Sequence, residues 1–148
     1  MKHCIYLLLI LSGISVKAQN VTISNLIKLH RMDVTDSEEY MSNLNWRFTE
    51  SFDNNKGLTY LTFTQKDMNN RTIYLSKRFG ENDFIGMSFY SRTKKTAYIN
   101  ELKTKGFILL SKEIKDGKIS ETYIKNNLEF HIWTKPNNEY FISCVSIN

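Results

Sequence analysis

Residues 58–91 read LTYLTFTQKDMNNRTIYLSKRFGENDFIGMSFYS, and this stretch decides the fold. Three runs inside it, Leu58 to Gln65, Arg71 to Phe79 and Phe84 to Ser91, are rich in Thr, Ile, Tyr and Phe. Such side chains suit the pleated, half-buried surface of a sheet. The breaks between them, Asp67-Met68-Asn69-Asn70 and Gly80-Glu81-Asn82-Asp83, are made of residues that accept turn conformations. Strands joined by such short turns pair antiparallel. Side chains alternate between faces along a strand. Leu61, Phe63, Ile73, Leu75, Ile85, Met87 and Phe89 therefore share one apolar face. Tyr60, Thr62, Tyr74, Ser76, Arg78, Ser88 and Tyr90 share the other.

Upstream, Thr22 to His30 carries Ile23, Leu26, Ile27 and His30 at helical spacing. Thr35-Asp36-Ser37-Glu38 has the form of a capping box, and Tyr40, Met41 and Leu44 supply the apolar face of the helix it would start. Asn45 stands where a left-handed residue closes a helix. Trp46-Arg47-Phe48 then opens an alternating run that ends at Asp53-Asn54-Asn55-Lys56-Gly57. Downstream, Ala97, Tyr98, Ile99 and Leu102 predict another helix, closed by Gly106. Phe107 begins a strand, Asp116-Gly117 is a hairpin turn, and Asn126-Asn127 and Pro136-Asn137-Asn138 separate the last runs, Leu128 to Lys135 and Tyr140 to Ile147.

The pattern is thus written twice. Tyr40-Met41-x-x-Leu44-x-Trp46-x-Phe48 parallels Tyr98-Ile99-x-x-Leu102 followed by Gly106-Phe107-x-Leu109. The expectation is an α+β fold of two tandem α-β4 repeats, about 22–91 and 93–148, with helices on one face of an antiparallel sheet. One continuous sheet and two packed sheets both satisfy that order. The arrangement, over most of residues 33–147, resembles the tandem helix-plus-four-strand layout of the β-lactamase inhibitory protein family and of small exported bacterial proteins. That family carries disulfides, and none of its inhibitory residues transfers. The resemblance implies a surface built to bind another protein.

The N-terminus reads as an address. Met1-Lys2-His3 is a basic start, Cys4 to Leu11 an apolar run, and Val16-Lys17-Ala18 a peptidase site, so residues 1–18 are expected to be a signal peptide. The run is shorter than the ~20 residues that span a bilayer, so no stable membrane span is expected after cleavage. The mature chain, 19–148, would be one exported domain, periplasmic or extracellular. Its twenty basic residues lose Lys2 and Lys17, leaving eighteen against fifteen acids, a net charge of +3. Those charges are spread, the densest clusters being Lys77-Arg78 and Arg92 to Lys95. Nucleic-acid binding needs a concentrated stripe and is not expected. Cys144 alone remains, in the apolar setting Phe141-Ile142-Ser143-Cys144-Val145, which favours a buried apolar role over a reactive thiol or dimer link.

Motifs for chemistry are scarce. His30 and His131 have no second ligand at metal spacing, and the sequence holds no nucleophile elbow, zinc motif or phosphate loop. Asp33, Asp36, Asp53, Asp67, Asp83 and Asp116 fall at caps and turns. No catalytic residue, metal or cofactor is expected, and the chain reads as a non-enzyme.

Phasing Leu128, Phe130 and Ile132 onto the apolar face puts Glu129, His131 and Trp133 on the open one, with Tyr123 assigned to join them. Tyr60, Tyr74, Arg78, Tyr90, His131 and Trp133 are the candidate binding residues, because aromatics and Arg dominate protein interfaces. Cross-strand aromatics also stabilise the solvated side of ordinary antiparallel sheets. The expected function is a non-catalytic protein-binding module, such as an inhibitor or toxin-immunity protein. The alternative is a binder of a small ligand or cell-surface component, held on this face or between helices and sheet.

Overall fold

The computed structural model describes residues 21–53, 58–80 and 83–147. The expected signal peptide lies outside them. Helix α1 (Ile23–His30) begins in a reciprocal cap: Thr22 Oγ1 accepts the Asn25 N–H at 3.1 Å, and Asn25 Oδ1 accepts the Thr22 N–H at 2.7 Å. Helix α2 (Val34–Asn43) starts one residue before Thr35. Its cap is Asp33, whose carboxylate accepts from the Asp36 N–H at 2.8 Å and whose carbonyl takes Ser37. The expected box at Thr35 and Glu38 does not form, because a strong aspartate cap precedes it and leaves both side chains exposed on the helix. Helix α3 (Arg92–Thr104) is capped by Ser91.

Helices α2 and α3 end alike. Asn45 and Gly106 take left-handed φ values of 59° and 82°. The following amides, Trp46 and Phe107, reach back to the carbonyls of Met41 and Leu102 at 2.9 and 3.0 Å. Each junction turns the chain directly into a strand, and each aromatic is buried.

The strands are β1 (Arg47–Asp53), β2 (Thr59–Lys66), β3 (Thr72–Phe79), β4 (Phe84–Phe89), β5 (Ile108–Lys115), β6 (Lys118–Lys125), β7 (Leu128–Thr134) and β8 (Tyr140–Ser146). They form one eight-stranded sheet in the order β1-β2-β3-β4-β8-β7-β6-β5, antiparallel throughout. Of the two arrangements open to the sequence, the single sheet is the one adopted. Two meanders meet where β4 pairs with β8. Asn70, Asp116, Asn126 and Asn138 have positive φ in the turns, as their residue types suggest. The edge strands β1 and β5 are each interrupted by a register shift, at Phe48/Glu50 and at Leu109/Ser111. Bulges and flanking charges such as Arg47, Lys112 and Lys115 hinder pairing with another edge.

The helices pack on one face, where Leu61, Phe63, Leu75, Ile85, Met87, Phe89, Phe130, Ile132 and Ile142 are buried. Cys144 is free and fully buried there, with burial pushing its thiol up to about 12. Tyr123 is also on this face, 2% exposed and opposite Phe130, and not on the open one. The reason lies two residues earlier. Glu121 can turn under the helices because Lys95 of α3 meets its carboxylate at 2.5 Å, so β6 keeps the phase that buries Tyr123.

Lys77 and Arg78 do not form a surface cluster, since they point to opposite faces. Lys77 is 1% exposed; its Nζ donates to the carbonyls of Leu29 and Met32 and, at 3.1 Å, to Ser37 Oγ. Burial pulls its pKa down to about 8, which leaves a mostly charged ammonium at neutral pH with three donors for three acceptors. Lys77 thereby closes the C-terminal end of α1. Lys77→Met keeps the bulk and removes the donors, and should lower unfolding free energy by about 2–4 kcal/mol in urea titrations.

His30 makes a second link from α1 to the first meander. It is 5% exposed, and its Nε2 lies 3.1 Å from the Asp83 carbonyl oxygen, a contact that the neutral ring makes as donor. Burial lowers its pKa from the ordinary 6.5. The unfolded chain therefore binds a proton that the folded chain refuses. The stabilisation is full above pH 6.5 and declines as the pH falls toward the depressed folded value. Denaturation midpoints should drop on acidification below that pH, and His30→Gln should remove part of the slope.

Candidate functional site

The uncovered face is organised by its cross-strand rows. At the centre Gly86 of β4 lies opposite Ser143 of β8. The same row continues through Ser76 and Thr62 on one side and His131 and Thr122 on the other. These small and polar side chains leave a trough, and larger rings from the flanking rows close over its middle. A Cβ at Gly86 would collide with the Phe141 ring and lie 2.7 Å from Phe84 Cζ. The glycine thus serves close approach of two rings to the backbone. Ser143 is only 1% exposed although nothing from the helical layer reaches it on this side, which is the same closure seen from below.

The rings run on across the sheet as a continuous strip. Phe52 stacks on Tyr60 at 4.7 Å, and Tyr60 is the register partner of Arg78. The Arg78 guanidinium lies over Phe84 at 5.6 Å, and Phe84 and Phe141 stack at 6.4 Å. Phe141 contacts Trp133 at 5.5 Å, and Trp133 stacks on His131 at 5.1 Å. His131 ends the strip with both nitrogens engaged: Nε2 is 2.9 Å from Glu129 Oε1, and Nδ1 is 3.2 Å from Thr122 Oγ1. Its ring is therefore fixed in place.

Of the six candidate residues, Tyr60, Arg78, His131 and Trp133 belong to this strip. Tyr74 stands beside it, 52% exposed, with its backbone N–H donating to Ser88 Oγ at 3.0 Å. Tyr90 follows the end of β4; it packs at the edge of the core, with the Arg71 guanidinium 4.4 Å over its ring. Phe52, Phe84 and Phe141 are strip members that the sequence reading did not select. Phe84 was accessible to it, since it shares parity with Ser88. Phe52 and Phe141 lie on strands whose phase the sequence left unassigned.

Among the described residues no group of three or more His, Cys, Asp or Glu side chains is placed to hold a metal ion. Asp33, Asp53, Asp67 and Asp83 are engaged as caps and clamps; Asp67, for instance, accepts from Asn69 and Arg71 amides and pairs with the Arg71 guanidinium at 2.8 Å. Those bonds hold its carboxyl below the usual range even though it is exposed to water. No described helix is long and apolar enough to cross a membrane. The chain matches no family model, no curated protein and no solved structure.

The strip depends on the absent side chain at Gly86. Gly86→Ala forces Phe84 and Phe141 apart, and overpacking of this kind costs about 1–3 kcal/mol. Urea denaturation should show that loss, accompanied by a changed near-ultraviolet circular dichroism spectrum as the stacked rings rearrange.

Proposed function

We propose that this chain is an exported, non-catalytic protein-binding module that docks its open sheet face on a partner and occludes it, as an inhibitor or toxin-immunity protein does. The observation that carries this reading is the continuous strip from Phe52 to His131. Its residues are the types that anchor interfaces, and their mutual stacking fixes rotamers before any partner arrives, which reduces the ordering cost of association. Strand spacing and rise give the whole face dimensions of roughly 34 by 23 Å. That is comparable to the ~800 Å² that each partner contributes to a standard interface.

The engagement of potential proton carriers supports binding over catalysis. His131 has no open nitrogen, His30 is buried against the Asp83 carbonyl, and the carboxylates of Asp33, Asp67 and Asp83 serve the backbone. Arg78, presented on Phe84, suits an acidic group in the partner. We read the two meanders as the repeats foreshadowed in the sequence. In favour are the matched helix-to-strand junctions, the matched bulges in β1 and β5, and the equivalent places of Phe84 and Phe141, each two residues before the central Gly86–Ser143 pair and each paired with a neighbour strand at Arg78 and at Trp133.

A pull-down from envelope and secreted fractions, with residues 19–148 as bait, tests the reading. The expected result is one partner captured by the native bait and lost with Tyr60→Ala/Trp133→Ala of unchanged thermal midpoint. Capture that survives the double substitution, or no capture, overturns it.

A further inference from the structure

A second surface lies on the helical side, away from the aromatic strip. Two adjoining hollows share Ile27, Arg31 and Lys105. The first, of about 430 Å³, runs between α1, the end of α3 and the β6–β7 turn, with Phe107 and Leu128 in its apolar floor and Asn126 and Asn127 at its rim. Arg31, Lys105 and Lys125 line it without a carboxylate. The second adds Lys28 and one acid, Asp36. The lining of the two hollows thus holds four cations and Asp36, with Glu101 beside Lys105 as a second acid, which leaves a local positive excess.

The cations here are available. Arg31 caps the end of α1 through its backbone N–H, is exposed, and its guanidinium makes no hydrogen bond or ion pair among the described residues. Lys105 meets Glu101 only at 3.9 Å, because both Glu101 oxygens are committed to the N-terminus of α1, accepting from the Ile23 and Ser24 amides at 3.0 Å. Lys125 is preordered: its Nζ donates to the Lys105 carbonyl at 2.5 Å and crosses above Gly106, 3.5 Å from where a Cβ would stand. A guanidinium fork and two ammonium groups around an apolar floor fit a doubly charged tetrahedral oxyanion better than a single carboxylate. Four cations in so short a groove do not make the stripe that tracks a nucleic-acid backbone.

We infer that this groove is a binding site for a phosphate-bearing ligand, gripped by Arg31, Lys105 and Lys125. A soluble phosphate compound and an anionic lipid headgroup share that chemistry. The site is independent of the open-face reading, and Arg78→Gln on that face serves as the control.

The test is titration of the purified protein with inorganic pyrophosphate at low ionic strength, followed by amide nuclear magnetic resonance. Saturable shifts at Arg31, Phe107, Asn126 and Asn127 are expected, with a Kd of about 1 mM or below. Arg31→Gln should weaken binding about tenfold, the loss of roughly one charged hydrogen-bonding group. Lys105→Gln should act in the same direction, whereas Arg78→Gln should bind as the native chain. In parallel, co-sedimentation with phosphatidylglycerol-containing vesicles against pure phosphatidylcholine separates the sources. Groove-dependent sedimentation assigns a lipid headgroup, and pyrophosphate binding alone assigns a soluble phosphate. Absence of saturable shifts, or binding that the groove substitutions leave unchanged, overturns the inference.

Discussion

The structure depends on the pairing of β4 with β8. Each meander alone would be a four-stranded sheet with an unpaired inner edge, and only their union gives a core wide enough for three helices. Ile85, Met87 and Phe89 face the helices from one side of the seam, with Cys144, Ile142 and Tyr140 as their register partners on the other. Helix α1 lies across that seam, against both β4 and β8. It is held from both halves: Lys77 of β3 grips its last carbonyls, and Glu101 and Tyr98 of α3 take its first amides and the Val21 carbonyl. A short helix that would be marginal in isolation is thereby made a clamp between two halves of the sheet.

The same seam sets the other face. On the helical side it demands large apolar residues, and on the open side it demands that something small sit between Phe84 and Phe141. Gly86 satisfies the second requirement at its own expense in sheet propensity, since a glycine within a strand contributes no packing of its own. The two rings recover that loss by covering the backbone. They also connect the Arg78–Phe84 contact of one half with the Phe141–Trp133–His131 contacts of the other. The strip is continuous only because the halves join here.

Much of this was legible in the letters. The alternation in β2, β3, β4 and β7 assigns their faces, because each carries two or three aliphatic or aromatic residues at period two with polar residues between. What escaped was decided by partners distant in sequence. Lys77 occupies a core-facing position beside Leu75 because three acceptors 40 to 48 residues away surround its ammonium. Glu121 faces inward because Lys95 reaches down from α3, and that one ion pair carries Tyr123 with it. Period-two reasoning treats both charges as outward signals. The edge strands are illegible for another reason: a bulge reverses parity midway along β1 and β5, so Phe48 faces the core side while Phe52 stacks on Tyr60 on the open side. No residue type at Thr49 or Leu110 announces the extra position.

The two surfaces differ in how they are prepared. On the open face Phe52 stacks on Tyr60, the contacts run unbroken from Arg78 to His131, and His131 is fixed by Glu129 and Thr122 together, which gives a fixed relief of rings and one guanidinium. On the helical side the apolar floor is buried, while Arg31 is left unpaired and Glu101 is drawn away to cap α1. The capping of α1 and the charge of the groove are thus one arrangement. Glu101 keeps its charge and still lies 3.9 Å from Lys105, so it offsets part of the field there and the positive excess rests chiefly on Arg31 and Lys125. Its commitment to two backbone amides stabilises the clamp over the seam and holds it in a long, weak pairing with Lys105.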